Sequence, residues 1–287
     1  MKWLTAPAIA CMALTTLVAT PSAAQAVQAA PANIQEQDSN PAADTAPQAP
    51  QDYSNGYHGV VWPNFYNSPH KFSKMTFPMT IKSSPDTRQF FFSNQFYYAH
   101  ASDAGYFGLQ PMERAADGHR QVSVRFSSFN KNATPVDTGL CHSGADGRGG
   151  VTCATDIPFT PGAKYDLSMT FTKEDHTFHG KVIDTASHKE YNAGSYKIPE
   201  ETEGITTNNL MSWHEDYTKH PEKGKCNSKD FPYYDVTLGR PQGTTEAGLT
   251  QTATFNNLSL KIQDICPNAD HSSINSDGTA TWRLGFK

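Results

Sequence analysis

The chain has 287 residues, of which 37% are hydrophobic, 11% aromatic and only 18% charged, with 20 glycines and 19 prolines. So much aromatic and apolar surface excludes a chain disordered throughout, and the length suits one large or two small domains. A formal net charge of −5 excludes the basic surface with which a dedicated nucleic-acid binder neutralises phosphates.

Residues 1–26 read as a secretory signal peptide: Lys2 supplies the positive start, Trp3 to Val18 is mostly apolar, and Ala24-Gln25-Ala26 is the small-residue cleavage site. The apolar run is too short, and too interrupted by Thr and Pro, for a membrane span, and no later window is longer. Cys11 follows Ala8-Ile9-Ala10 but has most of the apolar run behind it, unlike the cysteine of a lipoprotein box. Residues 27–52 are Ala, Pro, Gln and Asp with almost nothing to bury, and read as a flexible leader. With Lys2 and the four acids of that leader set aside, residues 53–287 carry −2. Strong long-range electrostatics therefore do not select the target.

From Tyr57 onward the apolar residues come in short alternating runs bounded by Gly, Pro, Asn, Asp or Ser, which predicts strands. The runs are Met75 to Ile81, Gln89 to Tyr98, Tyr106 to Met112, Gln121 to Phe129, Tyr165 to Phe171, Phe178 to Asp184, Ala253 to Ile262 and Thr279 to Phe286. Alternation is strict in Val122 to Phe126 and in Leu167 to Phe171, as when one sheet face is buried and the other wet. Ser84-Pro85-Asp86, Asp117-Gly118, Pro161-Gly162 and Asp277-Gly278 mark turns. Pro199 to Gly204 is the best short helical segment, and no internal repeat is present. The expected fold is all-β, a single two-sheet jelly-roll or concanavalin-like sandwich over residues 53–287.

Once Cys11 leaves with the signal, Cys141, Cys153, Cys226 and Cys266 remain, an even count that in an exported chain reads as two disulfides with three pairings open. The glycine-rich stretch between Cys141 and Cys153 favours local closure, and elimination then leaves Cys226 with Cys266. Structural zinc wants ligand pairs two to four residues apart, and none is so spaced.

At Tyr106-Phe107-Gly108-Leu109-Gln110, Gly144 to Gly150 with Cys153, Pro161-Gly162-Ala163-Lys164-Tyr165, Trp213-His214-Glu215-Asp216 and Gly239-Arg240-Pro241, the chain resembles a family of secreted bacterial domains of unknown function. That family is similar to concanavalin-type lectin and glucanase sandwiches. The resemblance spans roughly residues 85 to 245 and implies a fold and a carbohydrate-rich habitat. It assigns no catalytic residue.

Two constellations can carry chemistry. In Phe90-Phe91-Phe92 with Phe96-Tyr97-Tyr98 the rings divide between core and outer surface, and an exposed ring on a sheet suits the apolar face of a sugar. Tyr97, Tyr98, Tyr106 and Trp213 are the expected stacking residues. Trp213-His214-Glu215-Asp216-Tyr217 offers carboxylates, and glycoside cleavage needs two of them flanking one bond. Glu215 pairs with Glu113 in that scheme, since Asp216 would point to the opposite face of a strand. His214 and His220 lack the His-Glu-x-x-His spacing of a metalloprotease. His176 and His179, an odd offset apart, would face opposite ways on a strand. No metal site is expected, although calcium could be held by backbone carbonyls near His142 and Asp146. The glycine-rich segment has no Lys-Ser/Thr ending to make a phosphate loop, and no Gly-x-Ser-x-Gly elbow presents a nucleophile.

These readings converge on a secreted or periplasmic carbohydrate-binding sandwich without catalysis, its partner a polysaccharide or cell-surface glycan. The alternatives are a glycan-cleaving hydrolase or lyase on the same fold and an extracellular protein-interaction module. Asn132-Ala133-Thr134 and Asn257-Leu258-Ser259 would accept N-glycans in a eukaryotic secretory route. Deleting residues 1–52 should leave the folded part intact: a truncated chain is expected to melt within a few degrees of the longer one by calorimetry.

Overall fold

The computed structural model describes residues 57–66, 71–101, 103–145, 148–198, 202–217, 226–260 and 266–287. The expected signal, the leader, Asp146 and His220 lie outside them, as does half of the segment Pro199 to Gly204, whose described part contains no helix.

In chain order the strands are β1 (Tyr57–Asn64), β2 (Lys71–Phe72), β3 (Lys74–Ser83), β4 (Phe90–Tyr98), β5 (Ala104–Pro111), β6 (Gln121–Ser128) and β7 (Thr134–Pro135). Next come β8 (Cys141–Ala145), β9 (Arg148–Pro158), β10 (Lys164–Thr172), β11 (Thr177–Asp184), β12 (Lys189–Lys197) and β13 (Ile205–Asp216). The last are β14 (Tyr234–Leu238), β15 (Gln242–Thr244), β16 (Thr250–Thr252), β17 (Thr254–Leu260), β18 (Ser273–Ile274) and β19 (Ala280–Leu284). A 3-10 turn, Pro267–Ala269, is the only helical element among the described residues.

These strands form two antiparallel sheets. The first runs β17-β1-β13-β4-β5-β6-β9-β8, with β2 on β13. The second runs β18-β19-β14-β3-β10-β11-β12-β7, with β15 and β16 attached through β3. The expected all-β sandwich is what forms. Successive side chains on a strand alternate faces. Met75, Phe77, Met79 and Ile81 of β3 therefore turn inward together, as do Val122, Val124 and Phe126 of β6. The inner faces meet through rings: Phe126 lies 4.8 Å from Tyr196, Phe96 lies 6.5 Å from Phe178, and Phe92 lies 5.3 Å from Tyr234.

In the middle of the first sheet the alternation does not separate wet from dry. All of β5 is buried, and in β6 the polar phase is buried too, Ser123 at 1% and Arg125 at 4% exposure. This corrects the expectation of a solvated face for Val122 to Phe126.

The expected strands recur with shifted ends, while the long strands β1, β9, β12 and β13, together with β8, β14 and the two- and three-residue strands, had no counterpart among the expected runs. The inward positions of β13 are Ser212, His214 and Asp216, and β9 carries Gly149, Gly150 and several threonines, so neither has the apolar alternation that flags a strand. Hydrogen bonds satisfy the inward polar groups of β13. Ser212 donates to Asn94 Oδ1 at 2.6 Å, Gln89 donates to Asp216, and His214 Nδ1 meets the Tyr234 hydroxyl while its ring stacks on Trp282.

Both favoured disulfides are present, Cys141–Cys153 and Cys226–Cys266. The first joins residues directly opposite one another on β8 and β9. The second ties the start of the 3-10 turn to the segment before β14. Bonds closing loops of this kind persist in oxidising compartments and stabilise by about 3 kcal/mol in the chain-entropy picture. Asn132 and Asn257 are both exposed. No helix among the described residues is long and apolar enough to cross a membrane.

Gly194 of β12 packs on the first disulfide with φ of +98°, and a Cβ there would lie 2.5 Å from Cys141 Sγ and 2.7 Å from Cys153 Cβ. Steric overlap and the left-handed backbone act together, so Gly194→Ala should cost about 2–4 kcal/mol in chemical denaturation.

Candidate outer-face site

The site lies on the face of the first sheet turned away from the second. Register fixes its rows, because residues directly opposite on antiparallel strands share a face. Met211, Gln95, Tyr106, Ser127 and Thr152 make one row across β13, β4, β5, β6 and β9. Trp213, Ser93, Gly108, Arg125 and Ala154 make the next. Beyond it Glu215 stands opposite Phe91, and Gln110 opposite Ser123. Glu215 and Asp216 do point to opposite faces.

Three rings form the apolar part of this face. Phe91 lies 5.6 Å from Tyr106 and 6.2 Å from Trp213, and Tyr106 lies 6.2 Å from Trp213, all edge-on. Val60 and Met211 complete the cluster, with Trp62, Phe129 and Tyr217 partly buried against it. The expectation of an exposed stacking ring meets a different outcome at three of its four residues. Tyr106 and Trp213 are each 4% exposed within this cluster. Tyr98 occupies the inward phase of β4, where its hydroxyl meets that of Tyr196 at 3.1 Å and its ring packs on Phe178. Tyr97 alone of the four is partly exposed on the outer face.

Polar groups fill the rest. Gln110 Nε2 donates to the Tyr217 hydroxyl, and Arg125 Nη2 donates a long bond of 3.4 Å to Gln110 Oε1. Burial depresses the Arg125 pKa, while Tyr106 and Asp156 favour its charged form. Burial also pushes the Tyr217 phenol well above its ordinary range; Arg125 and Arg88 oppose that shift, and Glu215 and Glu113 add to it. Glu113 is exposed and pairs with Arg88 Nε at 3.6 Å, while Glu215 is half-buried. Both expected carboxylates thus act on Tyr217 through space, whereas Gln110, Arg125 and Tyr217 themselves were not anticipated. The signal for Arg125 was its place in a strictly alternating strand, but sequence assigns that phase to solvent.

At the far end of β4 an open recess of about 430 Å³ is lined by Lys71, Tyr97, Tyr98, Ala99, His100, Thr206 and Asn209. It forms where the β13–β4 register shifts between Thr206 and Met211, with Asn209 in the left-handed region at φ of +58°. Asn tolerates that conformation better than most residues. The Tyr97 hydroxyl accepts from Gln95 Nε2 at 2.7 Å, and burial raises its pKa. Lys71 and His100 both pair with Glu203 at the rim, the latter at 3.5 Å. The polar run Thr206-Thr207-Asn208-Asn209 was the sequence's sign of this interruption.

Among the described residues no three His, Cys, Asp or Glu side chains cluster as metal ligands. His142 is exposed on β8, and calcium at its neighbour Asp146 falls outside those residues.

No family model matches the chain, and no curated protein matches it. Among solved structures it is similar to Scytalido-glutamic peptidase with a peptide-based transition state analog, at 10% identity and a TM-score of 0.41, covering 81% of this chain and 98% of that one. It is also similar to SCP-B, a member of the Eqolisin family of peptidases, in a complex with the tripeptide Ala-Ile-His, at 9% identity and a TM-score of 0.37, with the same coverage. These are β-sandwich proteins, and neither is a lectin or a glucanase. The expected sandwich stands; at such identities and scores the likeness carries nothing about activity.

Because Trp213 is held between Phe91 and Tyr106, Trp213→Ala should cost about 3–5 kcal/mol in urea unfolding. Tyr97→Ala, at the half-open end of the face, should shift the midpoint far less.

Proposed function

We propose that this chain is an exported carbohydrate-binding protein whose ligand lies along the outer face of the first sheet and is anchored in the Tyr97 recess. The observation that carries the reading is the recess: a partly exposed tyrosine ring, its hydroxyl oriented by Gln95, in an open hollow with Lys71, His100 and Asn209 at its wall. A flat ring offers the apolar face of a pyranose a stacking surface, and the amide, ammonium and imidazole groups suit its hydroxyls. The two disulfides fit the oxidising habitat that this role requires.

A second reading, cleavage of the same ligand, is favoured by one observation: the charges of Glu215 and Glu113 both raise the Tyr217 pKa, so two carboxylates act electrostatically on one phenol. Acid–base cleavage of a glycosidic bond needs such a pair.

A glycan array followed by calorimetry separates these. Tyr97→Ala should weaken glycan binding by about 1–3 kcal/mol while the melting temperature holds. Release of reducing ends or unsaturated sugars by the intact protein would replace binding with cleavage, and Glu215→Gln should then abolish turnover but not binding. If the protein neither binds nor cleaves any glycan, the carbohydrate reading falls and the outer face is better explained as a contact surface for another protein.

A further inference from the structure

Arg125 rises from the outer face of β6 and is 4% exposed. A buried guanidinium is ordinarily held by a carboxylate, because desolvating an unpaired charge is costly. Arg88, Arg114, Arg120 and Arg283 all make ion pairs, but no carboxylate among the described residues lies within ion-pair reach of Arg125. Its one hydrogen bond is the 3.4 Å contact to Gln110, and its Nε has no protein acceptor. Ser93, across Gly108 in the same register row, and Ser127, two residues along β6, are both buried, and among the described residues their hydroxyls have no partner. Hydrogen-bonding capacity is thus concentrated around one cation on one face.

A planar acceptor with two oxygens matches the guanidinium fork, and the amide of Gln110 and hydroxyl of Tyr217 stand ready to complete its hydrogen bonds. The chemistry around it limits how much negative charge can enter. Asp156 already offsets part of the Arg125 charge through space, while Arg88 opposes its charged form, so a singly charged group suits the site better than a doubly charged phosphate. We infer that Arg125, with Gln110 and Tyr217, receives the carboxylate of a uronic acid unit, so that the glycan recognised by this protein is an acidic one. The inference rests on the carbohydrate reading above. By strand rise and spacing, Arg125 and Tyr97 stand roughly 16 Å apart on the same face, so a ligand touching both is an oligomer.

The test is calorimetry on the intact chain with oligogalacturonate, the matching neutral galactose oligomer, a sulfated galactose oligomer and an acidic peptide. Oligogalacturonate should bind about tenfold to a hundredfold tighter than the neutral oligomer, the range expected for charge-assisted hydrogen bonds. Arg125→Gln should erase that preference, bringing the affinities of the two oligomers together, and keep or raise the melting temperature, since it removes a buried unpaired charge. Should Arg125→Gln fail to fold, Arg125→Lys keeps the charge without the planar fork, and should retain only part of the preference.

Equal binding of neutral and uronate oligomers overturns the inference and leaves the carbohydrate reading standing. Tighter binding of the sulfated oligomer or of the peptide overturns the assignment to a uronate. An Arg125→Gln chain that melts lower but keeps the uronate preference makes Arg125 a structural cation and overturns it too. If no oligosaccharide binds at all, the carbohydrate reading fails first.

Discussion

A strand has only two faces, and along β4, β5 and β6 both are buried. The inner face is held by apolar rings that interdigitate with the second sheet, an arrangement that needs no explanation beyond area removed from water. The outer face is different in kind. Its apolar part is the cluster of Phe91, Tyr106 and Trp213, and beside these rings stand Ser93, Gln95, Gln110, Arg125 and Ser127, side chains seldom fully buried without partners. A protein that only needed a stable sandwich would gain more from apolar groups in those positions, because a buried charge or hydroxyl without a partner costs free energy that packing must offset.

The same contrast orders the local geometry. Arg125 stands opposite Gly108, where a Cβ would run into the Phe91 ring at 2.7 Å, so the absence of a side chain at that position makes room for the Phe91 ring over β5. Gln110 connects the guanidinium to Tyr217, whose phenol also feels the charges of Glu215 and Glu113. At the other end of β4 the register shift of β13 opens the recess beside Tyr97. The outer face of the first sheet therefore carries an enclosed polar station on β5, β6 and the end of β13, and an open aromatic one on β4. The second sheet contributes to this arrangement by anchoring the inner phase, including the His214–Tyr234–Trp282 contacts beneath β13.

Much of the fold was legible along the chain. Short alternating runs with turn residues between them announced an all-β sandwich, and the even cysteine count with a glycine-rich loop pointed to both disulfides. The division of Phe90, Phe91 and Phe92 between two faces followed from strand periodicity, as did the separation of Glu215 from Asp216. The strands that went unread, β9 and β13 above all, are those whose inward or outward residues are polar, since hydrophobic alternation is the signal that sequence offers. β13 forms because neighbouring strands supply partners for Ser212, His214 and Asp216, and those partners are far away in sequence.

Periodicity states which residues share a face, and it does so from covalent geometry alone. It does not state which faces are covered, because burial depends on what long-range packing brings alongside. Tyr106 and Trp213 were expected as exposed rings, and neighbours from other strands, Phe91 of β4 among them, bury both. Arg125 occupies the phase that sequence assigns to water, and Tyr98 the phase that it cannot distinguish from its neighbour's. The composition and order of residues thus settled the strand grammar, the disulfide chemistry and the class of fold. Tertiary contacts decided which ring is open to a ligand and which cation is left without a carboxylate, because both depend on neighbours that the chain meets only after it has folded.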